Sequence, residues 1–444
     1  MTISRTICLG FLAVITVGTL LLMMPFSSSN GTWIPPLVAL FTATSAVCVT
    51  GLSVVDPGSY FSFWGQFLIA ALVQIGGLGY MTTTTFLILL VARRFDLRHK
   101  IAIQQDLDRP GLQGSTLIIR SIVATTLLFE IMGVFLLLPV FVPDFGWSRG
   151  LWFAIFHSIN SWNNAGFGLI KDNLISYQSS VLLNLVVSGL IIFGGIGYRV
   201  IFEMFLWLRH RTLRKPERIV FSLNFKVAVS TTLTLLIFGT IAFFLTELHN
   251  PATLGSMSFG NKLMAAWFQS VTPRTAGFNT IDIGKMTETG LFITIALMFM
   301  GTSPGSTGGG IKITTVRVLT SCTKAIIQGK EEVKLYQRQV PLSLILKAVG
   351  VLVGSIITVL ISTTLISLTD SDVEFIRILF EVVSAFATVG LSTGITASIS
   401  VTAKLVLIAT MYIGRVGVLL LMAALLGDPR PSSVHYPEEN LLVG

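Results

Sequence analysis

Long apolar runs separated by short polar segments occupy almost the whole chain. A helix of about 20 apolar residues crosses the ~30 Å hydrocarbon layer of a bilayer. Runs of that kind lie near 7–26, 60–92, 118–143, 178–208, 224–247, 288–322, 341–368 and 401–427. They predict an all-α protein with eight transmembrane helices. The first run is followed by Pro25-Phe26-Ser27 rather than by the small residues of a signal-peptide cleavage site, so we expect it to be retained as a span.

The composition excludes a soluble multidomain enzyme. Hydrophobic residues make up 52% of the 444 residues and charged residues 11%, with a mean hydropathy of +0.81, whereas soluble domains have about 25% charged residues. The spacing of Cys8, Cys48 and Cys322 suits neither a disulfide framework nor a metal cluster. The net charge of +9 does not indicate a nucleic-acid partner, because the basic residues cluster at the ends of the apolar runs.

Basic residues are distributed unequally between the two sides of the membrane. Twenty-two of the 30 Lys and Arg residues fall in the chain ends and in the loops 93–120, 199–226 and 312–347. The positive-inside rule therefore predicts a multi-pass protein of the plasma (inner) membrane with both termini in the cytoplasm. The outer loops hold seven basic and nine acidic residues. This negative balance suits the attraction of cations, although membrane topology alone would produce the same asymmetry.

A fourfold repeat lies between successive pairs of spans. Each copy has a short segment ending in a glycine that is followed by a large apolar residue: Gly51-Leu52, Gly166-Phe167, Gly277-Phe278 and Gly390-Leu391. An aromatic residue stands ten positions before each glycine: Phe41, Phe156, Trp267 and Phe380. Ser45 and Ser384 stand six positions before the first and last of these glycines. A second set of glycines follows at Gly76-Gly77-Leu78-Gly79, Gly194-Gly195-Ile196-Gly197, Gly301 and Gly414-Arg415-Val416-Gly417. Such a period indicates a repeat architecture.

Each short segment is too short to cross the membrane. The 13 residues from Pro35 to Val47 would span only ~20 Å as a helix. Because each segment begins and ends on the outer side, it must enter the membrane and return as extended chain, which is tolerated only where the backbone is buried in protein or lines water. We therefore expect four re-entrant half-helices that surround a pseudo-fourfold central pore.

The tips of the four re-entrant loops have the properties of an ion filter. Rings of backbone carbonyls replace the hydration shell of a cation in potassium channels, and glycine adopts the dihedral angles that turn carbonyls inward. The candidate filter residues are Cys48, Val49, Thr50, Gly51, Asn163, Asn164, Ala165, Gly166, Thr275, Ala276, Gly277, Ala387, Thr388, Val389 and Gly390. Their carbonyls would bind the cation. The alternative is that the glycines only permit close packing of helices.

The second span of the third unit is interrupted by Gly301-Thr302-Ser303-Pro304-Gly305-Ser306-Thr307-Gly308-Gly309-Gly310. Each Gly costs about 1 kcal/mol and Pro about 3 kcal/mol in a helix relative to Ala, so no helix continues through this sequence. Irregular backbone at membrane depth must line a cavity, which predicts a segment beneath the filter. The alternative is a cytoplasmic linker, since the run from Leu291 to Met300 nearly completes the crossing.

Arg415 is the charged residue inside the last span, at the position of Gly77 and Gly195 in the first two units. A charge at this depth costs at least ~3 kcal/mol unless it faces water or a partner. We expect Arg415 to face the pore and to donate to carbonyls of the 301–310 segment. The alternative is an ion pair with Glu130 or Glu381, although Glu381 is expected to pair locally or to face the outer vestibule.

Other polar residues carry weaker signals. Arg274 is expected behind the filter or at its mouth, because a cation on the axis would repel the permeant ion. Cys48 and His157 are each isolated, and we expect them to be packed and inert. An intramembrane enzyme is the alternative from another class, but Glu130 and Glu381 lie in different units with no His or Asp beside them.

The four loops, the sequence Cys48-Val49-Thr50-Gly51-Leu52 and the interrupted third unit resemble the Trk/Ktr/HKT superfamily of potassium transporters over nearly the whole chain, most closely the membrane subunits of its Ktr branch. The predicted units, each a span, a pore helix and a second span, are residues 1–92, 93–208, 209–322 and 323–427, followed by a cytoplasmic tail, 428–444. The resemblance implies that residues 301–310 form an intramembrane gate together with Arg415. Glycine at all four filter positions implies potassium selectivity, because serine at the first position accompanies sodium transport in the family.

The resemblance also implies the partners and activators. It implies channel-like potassium uptake by a homodimer, sodium as an activator, and a KtrA-like cytosolic ring of nucleotide-binding subunits on the basic inner face. This chain lacks a GxxxxGK[ST] motif, so the nucleotide would be bound by the partner and we expect no cofactor here. The alternative within the superfamily is a Trk-type subunit with proton coupling.

Overall fold

The computed structural model describes residues 3–79, 115–213 and 220–427. In chain order the helices are α1 (Ile3–Met23), α2 (Pro36–Val47), α3 (Pro57–Tyr60), α4 (Phe63–Leu78), α5 (Ser115–Asn163), α6 (Val181–Ile196), α7 (Tyr198–Thr212), α8 (Leu223–Glu247), α9 (Phe259–Val271), α10 (Glu288–Phe299), α11 (Ile313–Ile327), α12 (Leu342–Thr369), α13 (Phe375–Phe386), α14 (Val401–Val416) and α15 (Val418–Leu426). A small antiparallel hairpin, β1 (Lys334–Leu335) and β2 (Arg338–Gln339), lies between α11 and α12.

The helices repeat the order of outer helix, pore helix and inner helix four times. The outer helices are α1, the first part of α5, α8 and α12; the pore helices are α2, the last part of α5, α9 and α13; the inner helices are α4, α6, α10 and α14. The outer and pore helices of the second unit join within α5 at Gly146, whose φ is 75°. The predicted all-α fold of four such units is confirmed.

The helix lengths are those of a multi-pass membrane protein. Within the described ranges, Ser4–Met23, Arg120–Asn163, Leu223–Glu247 and Leu342–Thr369 are long and apolar enough to span, and the bent pairs α6–α7 and α14–α15 raise the number from four to six. The inner helices α4 and α10 have 16 and 12 residues. The part of the predicted span 60–92 beyond residue 79 lies outside the described residues.

The division into units stays a prediction. The boundary between residues 92 and 93 and the tail 428–444 lie outside the described residues. The boundaries after residues 208 and 322 fall inside α7 and α11, respectively. Helices that continue through these positions therefore join the second unit to the third and the third unit to the fourth.

Each inner helix starts at a hydroxyl side chain. The N-terminal caps are Ser62, Ser180, Thr287 and Ser400, and each hydroxyl accepts a hydrogen bond from the amide three residues later. A cap of this kind stabilises a helix by about 1 kcal/mol. The four caps fix the outer ends of the inner helices at equivalent places in the repeat.

Three of the inner helices end at equivalent glycines. Gly79, Gly197 and Gly417 have φ values of 81°, 94° and 89°, a region that residues with a Cβ rarely adopt. The chain bends by 104° at Gly197 and by 94° at Gly417. The runs 178–208 and 401–427, predicted as single spans, are therefore each two helices, because the backbone at these glycines leaves the helical path.

The glycine three residues before each of these helix ends allows close packing on the pore helix of its own unit. A methyl group on Gly76, Gly194 or Gly414 would lie 2.1, 2.0 or 1.8 Å from the carbonyl oxygens of Val47, Trp162 and Phe386, respectively. These carbonyls are at the C-terminal ends of the pore helices. Close helix packing thus explains part of the second glycine cluster.

Candidate ion pathway

The four loops that follow the pore helices meet in a closed ring. Each loop glycine faces the carbonyl oxygen of the residue that precedes the glycine of the next loop. A methyl group would lie 2.2 Å from Ala165 O if built on Gly51, 2.7 Å from Ala276 O on Gly166, 2.4 Å from Val389 O on Gly277 and 2.0 Å from Thr50 O on Gly390. These contacts run from the first loop to the second, third and fourth and back to the first, so the loops surround a common axis.

The backbone of these loops alternates between positive and negative φ. The glycines have φ values of 92°, 70°, 76° and 91° in chain order, and the residues two positions earlier are also positive: Val49 at 57°, Asn164 at 59°, Thr275 at 62° and Thr388 at 51°. Carbonyls of an extended strand alternate between its two sides, whereas this alternation of φ turns successive carbonyls toward one side. A left-handed residue other than Gly costs about 1–2 kcal/mol, so the surroundings must hold each loop in place.

Serine side chains hold two of the loops. The amide of Gly51 donates to Ser45 Oγ at 3.0 Å, and the amide of Gly390 donates to Ser384 Oγ at 3.1 Å. The amide before each glycine donates to the carbonyl of the same serine, at 2.7 and 2.8 Å. The serines that recur six residues before the glycine therefore fix the backbone of these two loops, which is a role that their spacing alone did not reveal.

The residues predicted for the filter all lie in this ring or at the ends of its pore helices. All are buried except Gly51 and Gly390, which are partly exposed. The side chain of Asn163 points away from the ring, because its Nδ2 donates to Gln74 Oε1 at 2.7 Å and to Glu130 Oε1 at 3.1 Å. The Asn163 amide is therefore engaged outside the ring.

The interruption in the third inner helix is a loop with a closed neck. Its ends are joined by hydrogen bonds from Gly301 N to Ile311 O at 2.9 Å and from Ile313 N to Thr302 O at 3.1 Å. Gly305 and Gly310 have φ values of 69° and 66°. The segment is therefore a compact loop between α10 and α11, with its two ends hydrogen-bonded to each other, and not an extended linker.

This segment lies directly against the filter loops. A methyl group on Gly308 would lie 2.0 Å from Thr275 Oγ1, and one on Gly309 would lie 2.4 Å from Thr388 Oγ1. The amide of Gly309 also donates to Thr388 Oγ1 at 3.1 Å. The glycines are required because the segment backbone touches the third and fourth loops. The position of the segment beneath a filter stays a prediction.

Arg415 contacts the segment and the first unit. Its Nη1 donates to the carbonyl oxygen of Thr307, and its Nη2 donates to the carbonyl oxygen of Gly76. The side chain thus extends from the fourth inner helix to the interrupted segment, as predicted, and links the segment to the first inner helix as well.

Comparison with known proteins identifies the family. A model of the TrkH family, described as cation transport proteins, matches residues 4–436. The chain belongs to the TrkH family of cation transport proteins. It is 37% identical over 441 residues to the Ktr system potassium uptake protein B of Bacillus subtilis (strain 168), covering 99% of this chain and 96% of the relative.

One further relative and one solved structure are similar to this chain. Potassium/sodium uptake protein NtpJ of Enterococcus hirae is 37% identical over 447 residues, covering 99% of this chain and 97% of the relative. The crystal structure of the potassium transporter TrkH from Vibrio parahaemolyticus superposes with a TM-score of 0.73 at 18% identity, covering 95% of this chain and 84% of that chain. The family expected from the sequence is confirmed, and this TrkH-family chain is a multi-pass membrane transport protein and not an enzyme.

The two acidic residues inside apolar segments have separate local roles in this TrkH-family chain. Glu381 lies behind the fourth loop and accepts hydrogen bonds from Ser392 Oγ at 2.5 Å, from Thr393 N at 2.9 Å and from Thr396 Oγ1 at 2.9 Å. Glu381 therefore pairs locally, as expected. Glu130 accepts from Asn163 behind the second loop.

Arg274 is buried close to the third loop, which it precedes in the chain. It is 7% exposed and borders a small cavity together with Thr232, Gly301 and Thr302. Its Nε and Nη2 have no hydrogen-bond partner in the part of the chain that the structure describes. The guanidinium thus faces the base of the interrupted segment.

The remaining candidate residues are packed. Cys48 and His157 are fully buried, and His157 lies among aromatic rings with its Nδ1 2.8 Å from Phe153 O. Within the described ranges, no group of three or more His, Cys, Asp or Glu side chains is placed to hold a metal ion.

Two polar residues of this region were missed in the sequence. Gln74 accepts from Asn163, and Lys312 donates to Gly308 O. A polar side chain in an apolar run, and a cation directly after a run of glycines, are the signals that could have identified them.

Proposed function

We propose that this chain takes up potassium through the ring formed by its four glycine loops. The observation that carries the proposal is the closure of that ring, in which each glycine meets a carbonyl of the next loop. Potassium is named for the relative from Bacillus subtilis, and potassium and sodium for the relative from Enterococcus hirae. Four converging backbones supply the oxygens that a dehydrated cation needs.

The filter is formed by the carbonyls of the residues before and at each glycine. The positive φ values two residues before each glycine and at the glycine support inward-facing carbonyls, and the serine anchors keep two loops rigid. The C-terminal ends of the pore helices, which carry the negative ends of the helix dipoles, lie next to the loops and favour a cation there. Potassium passes down its electrochemical gradient, channel-like, and is cargo of the chain and not a resident cofactor.

The segment 301–310 and Arg415 form the gate. The contacts of Gly308 and Gly309 with the third and fourth loops support a position in which the segment obstructs the path. Arg415 holds the segment through Thr307 and places a fixed positive charge there. Movement of the segment, as in other order–disorder and loop switches, opens the path.

The assembly is proposed to follow that of the Ktr branch. The chain forms a homodimer in the inner membrane with both termini cytoplasmic, a KtrA-like ring of nucleotide-binding subunits docks on the basic inner face, and sodium stimulates uptake. The relative from Bacillus subtilis is named as part of a Ktr system, which supports a partner subunit. Proton coupling of the Trk type is the alternative.

Growth at low potassium tests the proposal. A bacterial host that lacks potassium uptake systems is expected to grow on low potassium when it expresses this chain with a Ktr-type regulatory subunit. The same host is expected to grow less well with the chain alone. Failure of both strains, with the chain present in the membrane, would contradict potassium uptake, and dependence on pH but not on sodium would favour the proton-coupled alternative.

A further inference from the structure

Three consecutive residues of the 301–310 segment are held from different directions. Thr307 O accepts from Arg415, Gly308 O accepts from Lys312 Nζ at 2.7 Å, and the amide of Gly309 donates to Thr388 Oγ1 at 3.1 Å. Two adjacent carbonyls therefore receive hydrogen bonds from two different cationic side chains. Charge-assisted hydrogen bonds of this kind are about twice as strong as neutral ones.

Lys312 and Arg415 connect the segment to different parts of the molecule. Arg415 belongs to α14 and also contacts Gly76 of the first inner helix. Lys312 is the N-terminal cap residue of α11, and its side chain reaches back over four residues to Gly308. Arg415 thus holds the segment to the fixed inner helices, whereas Lys312 holds it to the helix that leaves the membrane.

In the proposed topology, helix α11 leads to the cytoplasmic side. It is followed by the β1–β2 hairpin, and the groove between the two is lined by basic and acidic side chains including Arg317, Lys324 and Glu331. A displacement of α11 by a force from the cytoplasm moves the attachment point of Lys312. Lys312 is part-buried at the N-terminal end of α11.

We propose that Lys312 is a positioning residue that couples α11 to the segment beneath the filter, so that the segment follows α11 when that helix moves. The inference rests on the proposed role of the segment as the gate. The neck hydrogen bonds from Gly301 and Ile313 keep the ends of the segment together. Lys312 acts beside these neck hydrogen bonds, at Gly308, which touches the third loop.

The test measures the exposure of the segment separately from ion flux. Ser306→Cys places a thiol on the segment in a background with Cys322→Ser, since Cys322 is partly exposed whereas Cys8 and Cys48 are buried. The rate at which a membrane-impermeant thiol reagent modifies Cys at position 306 from the cytoplasmic side is measured on the full chain in vesicles, together with uptake of ⁸⁶Rb⁺ without a regulatory subunit.

Lys312→Met is expected to raise the modification rate about tenfold, which corresponds to ~1.4 kcal/mol. Flux without the partner is expected to rise in parallel. Lys312→Arg, which keeps a cationic donor, is expected to restore slow modification. Lys324→Met on the exposed face of α11 is the matched control and is expected to change neither quantity.

The outcomes distinguish this inference from the proposed gate. A modification rate for Lys312→Met within twofold of the parent overturns the role of Lys312, whatever happens to the flux. Faster modification without a change of flux supports the Lys312 contact and contradicts the gate. If Lys312→Met does not reach the membrane, Lys312→Gln, which keeps an uncharged donor, is measured in its place with the same two criteria.

Discussion

The replacement of Gly277 by serine tests the filter at a crowded contact between two loops. Gly277 has a φ of 76°, and a Cβ on it would lie 2.4 Å from Val389 O. The left-handed backbone costs a residue with a Cβ about 1–2 kcal/mol, and overpacking adds about 1–3 kcal/mol. The total of about 2–5 kcal/mol is too large for the loop to keep its position, so the carbonyls of the third and fourth loops must move apart.

A looser ring is expected to discriminate less between potassium and sodium. Each ~1.4 kcal/mol lost from the difference in binding free energy reduces the preference tenfold. The assay is uptake of ⁸⁶Rb⁺ into vesicles that contain the purified chain, with sodium as the competitor. We expect sodium to compete about tenfold better, or more, in Gly277→Ser than in the parent chain.

Substitutions at two other glycines separate the effect of backbone strain from the effect of the added hydroxyl group. Gly394 has a φ of 92°, but a methyl group placed on it would have no other atom within 4 Å, and Gly260 in α9 has free space without a positive φ. Gly394→Ser tests backbone strain alone, and Gly260→Ser tests the added hydroxyl alone. Unchanged selectivity in a well-expressed Gly277→Ser variant, or an equal loss in Gly260→Ser, would refute the assignment of Gly277 to the filter.

Three further predictions concern the gate and the filter anchors. Deletion of residues 305–310 is expected to raise flux without the partner, because the neck at Gly301 and Ile311 remains; a correctly inserted deletion with reduced or still regulated ⁸⁶Rb⁺ flux would place the gate elsewhere. Arg415→Ala is expected to raise flux, since it removes the donor that holds the segment at Thr307, and a stable variant with unaltered or lower flux would oppose this role. Ser384→Ala leaves the Gly390 amide without its acceptor at a cost of about 1–3 kcal/mol, so potassium preference should fall in competition assays, whereas Ser398→Ala on the exposed surface should match the parent.

The repeat and the filter were predictable because their constraints are local. A position that must adopt a positive φ and face a carbonyl strongly favours glycine, so Gly51 and its three counterparts are visible in the sequence at a regular spacing. The interrupted segment was predictable for the same reason, since glycine and proline at that density exclude a helix.

The bends and the long-range contacts were not predictable from one sequence. Gly197 and Gly417 belong to glycine clusters that also serve close packing, so the pattern did not distinguish a bend from a contact. The partners of Arg415 and Lys312 depend on how the segment folds back beneath the loops. The direction of Asn163 likewise depends on the approach of Gln74 from another unit.

The location of bound cations tests the central claim most directly. Crystals of the full chain grown with Rb⁺ in place of K⁺ would show the ion by its anomalous scattering. We predict a peak on the axis of the ring, surrounded by the carbonyl oxygens of Thr50, Ala165, Ala276 and Val389, that weakens in Gly277→Ser. A ring without bound Rb⁺, with the anomalous signal between helices elsewhere in the molecule, would contradict conduction through the four loops.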